Sequence, residues 1–269
     1  MSASPVEGLL NLCWPLLLSM PRILTAASIA PLFPSALFPT LLRNTVSLSL
    51  ALALYPHLAA HMPPAALTPM VWLALIAKEM VIGLLIGLAV GTLLWAMESA
   101  GSLIDLQVGT SNAMVFDPFG GHENGPFAVL MGRLAVSLFV ACGGLYVFVS
   151  LLFESFRLWP VGTFQPDFGG SLVSWGATSL GSLAELAVRM AAPLILLLAL
   201  VDLGFGLVNR VVPQLNVYFF TMPIKGALAA LMIALYLSYL ADIAADQVES
   251  LGTFLERISP LGSEGRPGV

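Results

Sequence analysis

Charge is what this 269-residue chain has least of: Lys, Arg, Asp and Glu together make up 9%, against about 25% in an ordinary soluble domain. So few charges cannot cover the surface of a soluble protein of this size. Ten basic residues stand against fifteen acidic ones, for a net charge of −5, and nucleic-acid binding is excluded because it needs a basic face. Histidine occurs three times and cysteine twice. His57 and His61 are four apart, but Pro56, Pro63 and Pro64 crowd them and no acidic third ligand is near, so they read as loop rather than metal site. His122 beside Glu123 lacks the HExxH spacing. Cys13 and Cys142 both lie in apolar runs and behave as small hydrophobes, which argues against a disulfide framework. Gly109-Thr110-Ser111-Asn112-Ala113 departs from the GxSxG nucleophile elbow at its last position, and Gly204-Phe205-Gly206 lacks the third glycine of a dinucleotide loop. With no Walker A sequence either, the inventory offers no catalytic, cofactor or metal constellation. If the chain moves anything, the energy comes from elsewhere.

Apolar residues are what is there instead. They make up 58%, and the 24 glycines raise this to roughly 67%, against about 45–50% usually; the mean hydropathy is +0.95. Six long apolar segments can be drawn, at Leu9–Leu32, Leu37–Ala60, Met70–Met97, Phe127–Phe153, Leu180–Val201 and Val217–Ala241. Each reaches the ~20 residues that cross a ~30 Å hydrocarbon core. They are Leu- and Ala-rich and do not alternate, unlike the strands of a membrane barrel. The expected fold is all-α: an integral membrane protein of about six long, broken apolar helices. Met1–Gly8 carries Glu7 and no Lys or Arg, so the first run is expected to be retained rather than cleaved as a signal peptide.

The segments carry awkward residues. Pro15, Pro21 and Arg22 interrupt the first, Lys78 and Glu79 the third, Arg133 the fourth, Glu185 and Arg189 the fifth, and Pro223 and Lys225 the last. A charge at mid-bilayer costs at least ~2.5–3.5 kcal/mol, so such groups face protein or water. Glu185 and Arg189, four apart, share a helix face and are expected to form an intrahelical ion pair. Gly83, Gly87 and Gly91 repeat every four residues and lay a glycine strip along the third segment, which suits close approach of another helix. Glu98–Pro126 has no Lys or Arg, which fits an extracytoplasmic loop and cytoplasmic termini. Val248, Leu251, Leu255 and Ile258 form an amphipathic stripe whose acidic flanks favour docking on a partner over anionic lipid.

Two stretches are more specific. Gly101 to Gly121 leaves the third apolar segment and breaks at Asp117-Pro118 and Gly120-Gly121, which is turn chemistry. Asn112–Phe116 is too polar to face lipid and too apolar for a free loop. It suits a loop lining or plugging a pore, and equally an ordinary interhelical connection. The second stretch, Gly206 to Lys225, places Pro213 and Pro223 ten apart among Asn209, Arg210, Gln214, Asn216 and Lys225. Each proline removes a backbone donor, so a bent hairpin is expected.

Asn209-Arg210, Pro213-Gln214-Leu215-Asn216-Val217 and Met222-Pro223-Ile224-Lys225 resemble the signature of the SctT/FliR export-gate family of type III secretion and flagellar export. Gly101, Gln107-x-Gly109 and Phe116-Asp117-Pro118 are similar to that family's central loop. Met222-Pro223-Ile224-Lys225 looks closer to the injectisome branch, SctT, than to flagellar FliR. The resemblance implies one helical domain over 1–269, with a plug-like central loop at 98–126, a bent C-terminal hairpin at 203–241, and an amphipathic helix and tail at 242–269. It implies a gate subunit of the bacterial inner membrane, within the secretion base, that joins SctR- and SctS-like subunits at the entrance of the export channel. SctU would lie beside it and an SctV-like ring beneath, and unfolded proteins would pass through. Carried over by residue, Asn112, Ala113, Met114, Val115, Phe116, Asp117 and Pro118 are the plug. Pro213, Gln214, Asn216, Met222, Pro223 and Lys225 shape the hairpin and contact neighbours, and the strip of Gly83, Gly87 and Gly91 becomes a subunit contact. The resemblance implies no cofactor and no enzyme activity. The rival reading of the interrupted helices, a secondary transporter, requires an inverted repeat that the sequence does not display.

Overall fold

Apolar, Leu- and Ala-rich runs satisfy their backbone groups internally by winding into helices. The computed structural model describes residues 5–32, 39–59, 68–110, 125–162, 171–212 and 217–258. Among them are eight helices: α1 Pro5–Ile29, α2 Thr40–Ala59, α3 Pro69–Val108, α4 Pro126–Ala141, α5 Gly144–Leu158, α6 Ser171–Val211, α7 Val217–Leu235 and α8 Leu237–Ile258. The expected all-α class is what the described residues form. The count of six is not, because the fourth and sixth segments are each divided.

Local chemistry explains the divisions. After α4 the chain turns at Gly143, whose φ of 80° lies in the left-handed region that glycine adopts without strain. After α7 the pattern slips at Tyr236, whose N–H still donates to Met232 O at 2.8 Å. By length and apolarity α3 and the Gly181–Val211 part of α6 can each cross a membrane; α4 with α5, and α7 with α8, pass only as broken pairs. Prolines sit within α1 (Pro15, Pro21), α2 (Pro56), α6 (Pro193) and α7 (Pro223) without ending them. In α1 the turn around Pro21 is served by side chains, as Thr25 Oγ1 donates to Pro21 O at 2.6 Å. The third helix runs on through Glu98 to Val108, so the first part of the expected 98–126 loop is helical. It ends where Gly109 takes φ 91° and its N–H donates to Asp105 O.

The chain gathers into two units, one of residues 1–91, 143–179 and 249–269, the other of 92–142 and 180–248. The first is cored by Leu18, Ile23, Ala26, Leu75, Ile82, Phe148, Leu152 and Phe156, with Trp14 stacked on Trp72. The second is cored by Met97, Ile104, Met131, Phe139, Met190, Leu194, Leu198, Ile233 and Leu240. Val248 and Leu251 of the C-terminal stripe are buried; Leu255 and Ile258 lie outside the described side chains.

Candidate functional site

Charged side chains in apolar helices need partners, and for six of them the structure supplies these in three clusters. In the first unit Arg22 of α1 and Glu79 of α3 are both fully buried and meet as a two-pronged pair, Nε to Oε2 at 2.6 Å and Nη2 to Oε1 at 3.0 Å. Lys78 joins at 2.8 Å from Glu79 Oε1. One carboxylate between two cations leaves the cluster net positive. The balance comes from carbonyls just past the C-terminus of α5: Arg22 donates to Trp159 O, and Lys78 to Pro160 O and Val161 O. This is the end of a helix where its dipole favours cations. The Arg22 guanidinium also lies 4.0 Å from the centre of the Phe156 ring.

The second cluster is in the other unit. Asp105, in the last turn of α3, is 1% exposed. Its carboxylate accepts from Ala128 N at 2.8 Å, Phe127 N at 3.3 Å and Thr110 Oγ1 at 2.7 Å. Gly125, the N-cap of α4, has no side chain to satisfy those two amides, so Asp105 caps the helix from outside it. A Cβ on Gly125 would overlap that carboxylate, and one on Gly101 would come within 2.5 Å of Phe127 O. Gly101 meets main chain and requires glycine, while Gly125 leaves room for the Asp105 side chain.

The third cluster lies on α3, α6 and α7 in the same unit. Asp202 accepts from Gln107 Nε2 at 3.0 Å and pairs with Lys225 Nζ at 2.8 and 3.0 Å. Lys225 is buried, whereas the Asp202 side chain is 41% exposed. The Gln107-x-Gly109 stretch and the lysine of Met222-Pro223-Ile224-Lys225, over a hundred residues apart, meet on this one carboxylate.

Comparison with known proteins decides what this arrangement belongs to. Residues 13–251 match the family of bacterial export proteins, family 1. The chain belongs to this family. It is 34% identical over 220 residues to Yop proteins translocation protein T of Yersinia pestis, covering 81% of this chain and 84% of that protein. It is 30% identical over 224 residues to secretion system apparatus protein SsaT of Salmonella typhimurium (81% and 85%), and 32% identical over 213 residues to flagellar biosynthetic protein FliR of Escherichia coli (78% of each).

Against the residues singled out for the export family, the structure is uneven. Asn112–Pro118, Pro213, Gln214 and Asn216 lie outside the described residues, and His57, His61 and His122 outside the described side chains. Met222 is half-buried and Pro223 exposed. The glycine strip meets α1 of the chain itself: a Cβ on Gly83 would run into the Arg22 carbonyl, and one on Gly87 would lie 2.9 Å from the Ile29 side chain. The helix partner that a glycine strip implies is thus, at these two positions, intramolecular. Arg189, expected to pair with Glu185 along one face of α6, also has neighbours on α8. The Arg189 guanidinium lies within electrostatic reach of the Tyr239 hydroxyl and Asp246 of α8 as well as of Glu185. Both members of the expected pair are exposed, where an i,i+4 contact contributes only a few tenths of a kcal/mol. The sequence reading missed Asp202 and the roles of Arg22 and Asp105. A signal for Asp202 existed: a lone carboxylate among Leu196, Leu200, Val201 and Leu203 requires a partner.

Proposed function

We propose that this chain is a subunit of a type III protein-secretion export gate, of the injectisome rather than the flagellar branch. It would sit in the bacterial inner membrane, at the entrance of the export channel, with SctR-, SctS- and SctU-like subunits and an SctV-like ring. It has no chemistry of its own: it forms part of a conduit for unfolded proteins, and Asn112–Pro118 helps seal that conduit. The observation that carries this reading is the meeting of the two family-like stretches on Asp202; Asp105 separately joins residue 110 to residues 127 and 128, on either side of the proposed plug. The clusters also account for Arg22, Lys78, Glu79, Asp202 and Lys225 without any transported ion. The long apolar face of α6 suits sister subunits or lipid. Purification in mild detergent is expected to recover SctR- and SctS-like proteins with the chain; a clean monomer that takes up substrate by itself would sink the proposal in favour of a transporter. Deleting Asn112–Phe116 is expected to let ions leak across the inner membrane of cells assembling the apparatus, and unchanged permeability would remove the plug role.

A further inference from the structure

Toward its C-terminus α6 is no longer covered by its own chain. From Leu203 to Val211 every residue except Phe205 is exposed. Leu196, Leu200, Leu203 and Leu207 repeat at helical spacing along one exposed stripe, and water does not suit such a surface. At the edge of the stripe the Asp202 side chain stays 41% exposed. Its oxygens take two hydrogen bonds from Lys225 Nζ and one from Gln107 Nε2. A carboxylate accepts about four, so there is room for a further donor from outside the chain.

Lipid suits the leucines but not the carboxylate. Arg189 and Arg210, both exposed, stand 21 positions apart on α6, about 32 Å along a helix and close to the ~30 Å of a hydrocarbon core. With those two at the boundaries, Asp202 would lie about 12 Å inside the hydrocarbon, where an exposed charge is costly. A face of another protein subunit meets both demands. We infer that this edge of α6 docks a helix of another subunit, apolar along the leucine stripe and carrying an uncharged donor, Ser, Thr, Asn or Gln, that bonds to the exposed side of Asp202. The inference deepens the gate reading above and rests on it. The donor is uncharged because Asp202 and Lys225 already balance one another, and a further cation would enter apolar surroundings without a counter-charge. Ala199 and Gly206, one turn to either side of Asp202, are small, and a Cβ on Gly206 would meet nothing within 4 Å. A helix backbone can therefore come close at this level.

The test uses the full chain in cells that assemble the export apparatus. A photo-crosslinking residue at Leu203 is expected to form an adduct with a subunit that co-purifies with the parent. The adduct segment, read by mass spectrometry, is expected to carry Ser, Thr, Asn or Gln within one turn and no Lys or Arg. Gly206→Leu is expected to keep the parent's abundance in the membrane and to lower recovery of that subunit several-fold. Asp202→Leu with Lys225→Met removes the pair without stranding either charge, and is expected to lower recovery likewise. Should either variant fail to accumulate, the adduct and the other variant decide. Adducts with lipid alone would overturn the inference. So would an adduct segment that lacks such a donor or brings Lys or Arg, or full recovery of the subunit with either variant. If the parent itself recovers no other subunit, the gate reading is what has failed, and this inference falls with it.

Discussion

α3 and α6 are nearly the same helix by composition and opposites by environment. They have 40 and 41 residues, and both are apolar enough to cross a membrane. Yet the most apolar stretch of α3 is 67% buried and that of α6 only 17%. The difference lies in side-chain size and placement. α3 is lined with small residues, among them Gly83, Gly87, Ala89, Gly91, Ala96, Ala100 and Gly101, all buried, which let neighbouring backbones come close. α6 sets Leu196, Leu200, Leu203, Leu207 and Val211 at helical spacing on one exposed face, with Val211 80% exposed. Apolarity alone does not tell which helix is covered by its own chain.

Matched substitutions on the two helices test this contrast. The largest expected effect is Glu79→Gln on α3, which strands the Arg22 and Lys78 charges; breaking a buried pair this way costs about 3–5 kcal/mol. Loss of folded chain in a denaturant titration in detergent would register it. Next, Ile104→Ala, at a site with 0% exposure, is expected to cost about 2–3 kcal/mol. That is the low part of the core range, because lipid replaces water as the alternative surroundings. Leu203→Ala, at 67% exposure, is expected to leave the isolated chain's unfolding midpoint within about 0.5 kcal/mol of the parent. Similar losses from both would abolish the distinction between the helices. A further contrast is between glycines. Gly83→Ala must displace the Arg22 carbonyl, at a cost of about 1–3 kcal/mol. Gly204→Ala on α6 meets nothing within 4 Å and is expected to be neutral or stabilising by up to about 1 kcal/mol, from helix propensity. Thermal unfolding of the two variants side by side would show the opposite signs.

Part of the site was legible because a stranded charge in an apolar run advertises itself. Arg22, Lys78, Glu79 and Lys225 stood out in the sequence as groups that need partners. Which partner each takes was not legible: Arg22 reaches 57 positions along the chain to Glu79, and Lys225 reaches back 23 to Asp202. Arg189 shows where local reasoning is incomplete. Its i,i+4 neighbour Glu185 is the natural choice, and folding adds the Tyr239 hydroxyl of α8 to its surroundings. The glycine strip suggests a surface for a helix, but its spacing does not say which one; at Gly83 and Gly87 the neighbour is α1.

The sequence by itself determined the helical class, the apolar surroundings and, through two short stretches, the export-protein family. These follow from composition, periodicity and motifs, which are local or additive properties. Only the tertiary structure decided that Asp105 caps a helix it does not belong to, that Asp202 joins the two stretches, and that α3 is enclosed while α6 keeps an apolar face outward. Hydrogen bonds and close packing act over a few ångströms, and only folding brings residues dozens of positions apart within that distance.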